Sequence, residues 1–327
     1  MNIEERIASF IWNKKIPHKI YILLRTILLI GLGFIVMYPI LYMFTVSIRS
    51  PKDLLDPNVI WIPKNFSIES IRTAMKALNY QDSLMNSIKF SLLGAICSVI
   101  STSFAGYAFA RFKFRFKGIL FGLVIFTIVV PPQITILPMF LHFKQFDFLG
   151  IGTLIGKITG TPLSVSLIET PWVIALPALS GVGIRGGILI YIFRQMFRNM
   201  PKELEDAAYT DGCGPLKAFI KVILPNAIPA YVTSFLFSLV WYWNEYLSMS
   251  LFLGGKVRTL AVSMSNFKGV LNTMRQGGGT KAVGYSMEQW IGATQAACLL
   301  YVIPILAVYI VLQKYYTESV SNTGIVG

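Results

Sequence analysis

The chain has 327 residues, 54% of them hydrophobic and only 13% charged, whereas about a quarter of an average soluble domain is charged. This balance excludes a soluble globular protein, a disordered chain and a collagen-like or coiled-coil one, and points to a membrane protein. Lys and Arg number 29 against 15 Asp and Glu, a formal charge of +14, which in a membrane chain serves orientation and anionic lipid rather than nucleic acid.

A bilayer core about 30 Å thick takes about 20 apolar residues per helix. The apolar runs therefore predict an all-α, polytopic membrane protein with six transmembrane helices near 21–47, 84–110, 118–141, 178–198, 226–253 and 290–313. Residues 1–20 are polar and basic, with Arg6, Lys14, Lys15 and Lys19. No small-residue cleavage site follows the first apolar run, so it reads as an uncleaved signal anchor behind a cytoplasmic segment. The loop after the second span carries Arg111, Lys113, Arg115 and Lys117, the densest positive stretch, which puts it in the cytoplasm. Its alternating Phe residues resemble an aromatic-interleaved nucleic-acid patch, but a short loop squeezed between spans is better matched to lipid headgroups. An even number of spans then leaves both termini cytoplasmic, with residues 314–327 as a tail.

Outer loops are expected at 48–83, 142–177 and 254–289, with a short surface helix over 67–82 and a flexible glycine-rich turn at 276–280. Pro131-Pro132 and Pro138 interrupt the third span and free carbonyls that neighbours or a wet path must satisfy. Cys97, Cys213 and Cys298 are far apart, and His18 and His142 are the only histidines, so neither a disulfide framework nor a metal site is expected.

The segment 201–225 breaks the membrane pattern. Pro201 suits a first helical position, Glu203, Glu205 and Asp206 complement a helix dipole, and Asp211-Gly212 supplies a stop. Pro215 can open a second short helix with Lys217 and Lys221 at i,i+4, closing before Pro225. A helix-turn-helix on the cytoplasmic surface results, on which Ala207 and Ala208 leave a low face for another protein.

Glu245 falls inside the fifth predicted span, where a charge needs a partner or a wet cavity. Trp243, Asn244 and Tyr246 flank it, and aromatic faces beside hydrogen-bonding groups suit sugar rings; interhelical polar packing is the competing reading. Arg185 reads as an interfacial snorkelling side chain. No phosphate-cradling loop is found: at Gly156-Lys157 the earlier Gly and following Ser or Thr positions are both Ile.

Asp206-Ala207-Ala208, Gly212 and Ile223-Leu224-Pro225 resemble the EAA signature of binding-protein-dependent permeases of ABC importers, with Asp in place of the usual first Glu. Asn86-Ser87, the run Ser103–Arg111, Phe193–Phe197 and Trp243–Tyr246 extend the similarity to the maltose-type carbohydrate permeases. The resemblance implies a non-catalytic permease of an ATP-driven importer of sugars or oligosaccharides. It would pair with a second, homologous permease, two ATP-binding subunits that hold ATP-Mg, and an extracytoplasmic solute-binding protein, in a bacterial plasma membrane. Glu205, Asp206, Ala207, Ala208, Asp211, Gly212 and Pro225 would then couple to the ATPase, and Trp243, Asn244, Glu245 and Tyr246 would be candidates for the solute path. A self-sufficient channel or secondary carrier, and a non-transporting scaffold, stay open as alternatives.

Overall fold

The computed structural model describes residues 18–147, 150–159, 164–276 and 287–323. The expectations for residues 1–17 and for the glycine-rich turn after Gln276 lie outside them. The described residues are helical, with only isolated bridges between Arg49 and Phe66 and between Phe146 and Val165. They fall into two compact units, one within 1–74 and 285–299, the other within 75–284 and 300–327.

In the first unit, helix α1 (His18–Ser47) is apolar along its length, and residues such as Ile30, Ile35 and Val36 stand two thirds or more exposed. Exposed aliphatics on every face are what a lipid-embedded helix shows. A tight turn follows. Ser50 accepts from the Asp53 N–H to cap α2 (Pro51–Leu55), and the buried Asp53 carboxylate accepts from the Asn65 N–H at 2.7 Å and from Asn65 Nδ2 at 2.8 Å. The Asn65 backbone bond does most to hold that carboxyl below the usual carboxylate range.

Helices α3 (Glu69–Leu78) and α4 (Tyr80–Arg111) follow. The second unit is built around α4, whose buried face is mostly small and hydroxylic: Ser87, Ser91, Ser98, Thr102 and Ser103. Their hydroxyls mostly bond carbonyls one turn back, as Thr102 does to Ser98, so the polar atoms are satisfied while other helices come close. At Gly106 an added Cβ would lie 2.5 Å from the Phe193 Cβ, so only glycine admits this approach.

Three of the predicted spans differ from simple rods. The third is two helices, α5 (Lys117–Val129) and α6 (Pro132–Lys144), bent by 102°. Pro131 and Pro132 supply no donors there, and the ladder ends at Val130. The fourth is split between α8 (Trp172–Leu179) and α9 (Gly186–Asn199), because Gly181 and Arg185 turn the chain at positive φ. The fifth stops early: α12 (Ile228–Asn244) ends at Asn244, and a separate α13 (Leu247–Phe252) follows. The last helix, α16 (Met287–Thr323), runs on to Thr323, so helix occupies most of the expected tail. Among the described residues, three helices are long and apolar enough to cross a membrane, or up to five segments if each bent pair counts as one. The intervening pieces are α7 (Ile151–Thr159), α10 (Glu203–Thr210), α11 (Pro215–Asn226), α14 (Leu260–Ser265) and α15 (Phe267–Gln276).

Two apolar clusters hold the second unit. One gathers Phe90, Phe143, Val173, Tyr242, Met249 and Phe252; the other gathers Tyr107, Phe193 and Phe197 with Phe219 and Ile223 of α11.

Candidate functional site

Helix α10 is a single short element with no side-chain cap. Glu203, Glu205 and Asp206 in its first turn oppose the partial positive charge of its free N–H groups. Pro201 lies one residue ahead of the Lys202 cap rather than at the first helical position. The other end is a Schellman turn. Cys213 N–H donates to Ala208 O at 2.9 Å, Gly212 N–H donates to Tyr209 O at 3.0 Å, and Gly212 sits at φ +76°. The predicted stop at Asp211-Gly212 is therefore realised by the glycine's left-handed backbone.

Burial divides the helix. Glu205 and Ala208, one turn apart, are buried, whereas Asp206, Ala207, Thr210, Asp211 and Gly212 are exposed. The expectation of a free Ala207-Ala208 face holds for Ala207 alone, because Ala208 is packed inward. Glu205 Oε1 lies 2.9 Å from Arg111 Nε at the end of α4, and the two side chains are 10% and 6% exposed. The angle at that contact falls outside hydrogen-bond geometry, so the attraction is that of an ion pair. Arg111 Nη2 donates to Met200 O at 2.9 Å. The Arg111 side chain is therefore buried and paired, and does not join the lipid-facing cations expected of its loop.

Beyond Gly214, α11 does not close before Pro225 as expected. It passes through one π-helical turn, Phe219–Ile223, in which Leu224 N–H donates to Phe219 O, and continues to Asn226. Pro225 has no N–H and cannot serve the carbonyl one α-turn back, so the wider turn re-spaces the ladder. Asn226 Nδ2 supplies a donor to Val222 O at 2.7 Å. Phe219 and Ile223 face the core while Leu216 and Ile220 stand 64% and 51% exposed. With Gly214, Pro215, Lys217 and Lys221 they line a shallow apolar hollow of about 470 Å³.

The four solute-path candidates are separated by the break at the end of α12. Trp243 is buried, its ring centroid 6.2 Å from that of Tyr301. Asn244 and Tyr246 are exposed. Glu245 is not inside a helix: it is the C-cap of α12, and its Oε1 accepts from both the Ser248 N–H and the Ser248 hydroxyl at 2.9 Å. The carboxylate thus caps α13. Tyr301, which sequence reasoning missed, donates its hydroxyl to Asn244 Oδ1 at 2.8 Å. Arg185 does not snorkel freely, since its guanidinium lies 5.1 Å over the Trp241 ring.

Near the loop joining α7 and α8, Glu169 sits at φ +66°, its N–H donates to Phe252 O at 2.8 Å, and its carboxylate pairs with Lys256 at 2.6 Å. The carboxylate bond raises the Lys256 ammonium above its ordinary range.

Among known proteins, the chain is 27% identical over 302 residues to the osmoprotective compounds uptake permease protein GgtD of Synechocystis sp., covering 90% of this chain and 89% of that one. It is 26% identical over 290 residues to the trehalose transport system permease protein SugB of Mycobacterium tuberculosis, covering 88% and 92%. In fold it is similar to a bacterial ABC transporter involved in the import of the acidic polysaccharide alginate. That match has a TM-score of 0.63 over 91% of this chain and 97% of that one, at 21% identity. The family model for the inner membrane component of binding-protein-dependent transport systems matches residues 102–322. More than half of the chain follows its pattern, and the chain belongs to that family.

Proposed function

We propose that the chain is the permease subunit of an ATP-driven, binding-protein-dependent importer of sugars or oligosaccharides in a bacterial plasma membrane. It forms the solute path with a second, homologous permease, and α10 is the coupling helix on which a partner ATPase docks. Six crossings are made by α1, α4, the α5–α6 pair, α8 with α9, α11 with α12, and α16, with both termini in the cytoplasm. ATP-Mg is held by the two ATP-binding subunits, and an extracytoplasmic binding protein delivers the solute. The chain contributes packed, movable helices and no catalytic residue. Relatives named for transport of alpha-glucosides, trehalose and diacetylchitobiose support a carbohydrate as the solute.

The observation that carries this reading is the division of α10. A helix fixed to the core by Glu205 and Ala208 presents Asp206, Ala207 and Asp211 outward, beside the exposed apolar side chains Leu216 and Ile220. Such a surface transmits displacement as a rigid body. Pro cannot adopt the φ of +76° at residue 212, and it would remove the N–H given to Tyr209 O. Gly212→Pro in a chain that still inserts is therefore expected to abolish both ATPase co-purification and uptake. Unchanged co-purification and uptake would overturn the assignment. Labelling of Thr210→Cys by an impermeant maleimide should occur from the cytoplasmic side only.

A further inference from the structure

Glu205 belongs to the signature segment, yet its carboxylate faces away from the surface that a partner would meet. It is buried, paired with the Arg111 guanidinium and close to the Tyr107 side chain. The neighbouring Asp206 carries the same charge and is exposed. The two acids therefore do different work.

Arg111 is the last residue of α4, the 32-residue helix around which the second unit is built. Its guanidinium reaches two consecutive pieces of chain: Glu205 in α10 by Nε, and the Met200 carbonyl ahead of α10 by Nη2. A buried ion pair adds little net stability compared with apolar packing, but removing one partner strands a charge. What the arrangement does provide is two anchors, because a guanidinium hydrogen-bonded to Met200 O and ion-paired with Glu205 cannot slide without losing one of them. The hydroxyl of Tyr107, one turn earlier in α4, lies near Glu205 and Tyr209 and is buried without a hydrogen-bond partner.

We propose that Arg111 and Glu205 are positioning residues that lock α10 to the end of α4, so that displacement of the docking surface moves α4 directly. This rests on the reading of α10 as the ATPase-coupling helix, and it makes Glu205 a strut within the chain rather than a contact to the ATPase.

The test uses the whole importer in proteoliposomes, with uptake and ATP hydrolysis measured together. Glu205→Gln and Arg111→Met should each keep the ATPase bound and hydrolysing while solute moved per ATP falls by about tenfold or more. The double variant Arg111→Met/Glu205→Met removes the charges but fills the space. It should insert even where the single variants do not, and it should remain uncoupled. Recovery of solute moved per ATP in the double variant would reduce the pair to packing and overturn the proposal. So would loss of ATPase binding in Glu205→Gln with binding kept in Arg111→Met, because Glu205 would then face the ATPase.

A second measurement separates this idea from the functional reading beneath it. Spin labels at Lys113→Cys and Thr210→Cys, in the chain alone with Cys97, Cys213 and Cys298 replaced by Ala, should give one narrow distance that broadens in Glu205→Gln. A distance unaffected by Glu205→Gln would sink the tether whatever the partner. A broadened distance in a chain that binds no ATPase would sink only the coupling role.

Discussion

At Gly212 the backbone sits at φ +76° and an added Cβ would meet nothing within 4 Å. The cost of Gly212→Ala is therefore conformational alone, about 1–2 kcal/mol, and thermal unfolding of the detergent-solubilised chain should show it. Gly212→Asn should cost less, because Asn tolerates the left-handed region. Ala207 and Ala208 make a sharper contrast. Ala208→Leu forces a larger side chain into the packed side of α10 and should lower stability by about 1–3 kcal/mol. Ala207→Leu should leave stability unchanged and weaken ATPase co-purification. The signature spacing is legible in the sequence because an acidic first turn and a stop are local features: three acids, then an Asp and a Gly, within one short segment. The partners of those residues are not legible. Nothing in the run Ser103–Arg111 says that its last cation turns inward to meet Glu205, since the pairing joins residues far apart in the chain and depends on how α4 and α10 pack. Tyr301 is hidden for the same reason, and its hydroxyl bond to Asn244 is worth about 1 kcal/mol. Tyr301→Phe should show that loss in unfolding, with a changed KM for uptake if Asn244 borders the solute path.

Proline decides much at the level of helices. Pro131 and Pro132 bend the third span by 102°, a break that the sequence predicts in position but not in size, because neighbouring packing sets the angle. Pro225 behaves differently. The sequence reads it as the end of a helix, but here the ladder widens by one residue through Phe219–Ile223 and carries on. A π turn shifts the following side chains by about 100° around the axis, one residue's worth of a 3.6-residue turn. Pro225→Ala restores the missing donor and should allow a regular α-helix, rotating the residues after Ile223 against Leu216 ahead of the turn. The expected outcome is a stable chain with less solute moved per ATP hydrolysed. The Glu245 break was invisible for a related reason. Apolar residues continue on both sides of it, and the carboxylate's bonds to Ser248 that start α13 leave no mark on a hydrophobic pattern.

Across the described residues, broad exposure of Ile, Leu, Val and Phe along α1, α5 and the stretch 303–311 of α16 fits lipid contact. The composition makes the membrane class legible at once, whereas the number of crossings depends on how bent pairs are joined. Vesicles holding this chain alone should show no solute flux above background, and flux should appear only with the second permease, the ATPase and the binding protein. Flux from the single chain would favour a self-sufficient carrier.

Helix α4 has 32 residues, a rod about 48 Å long at 1.5 Å per residue, set in hydrocarbon about 30 Å thick. It must lean or protrude, and the amount is set by the acyl chains around it as well as by its neighbours. Reconstitution in phosphatidylcholines of increasing tail length should therefore alter turnover through mismatch, without any change in the protein's own sequence.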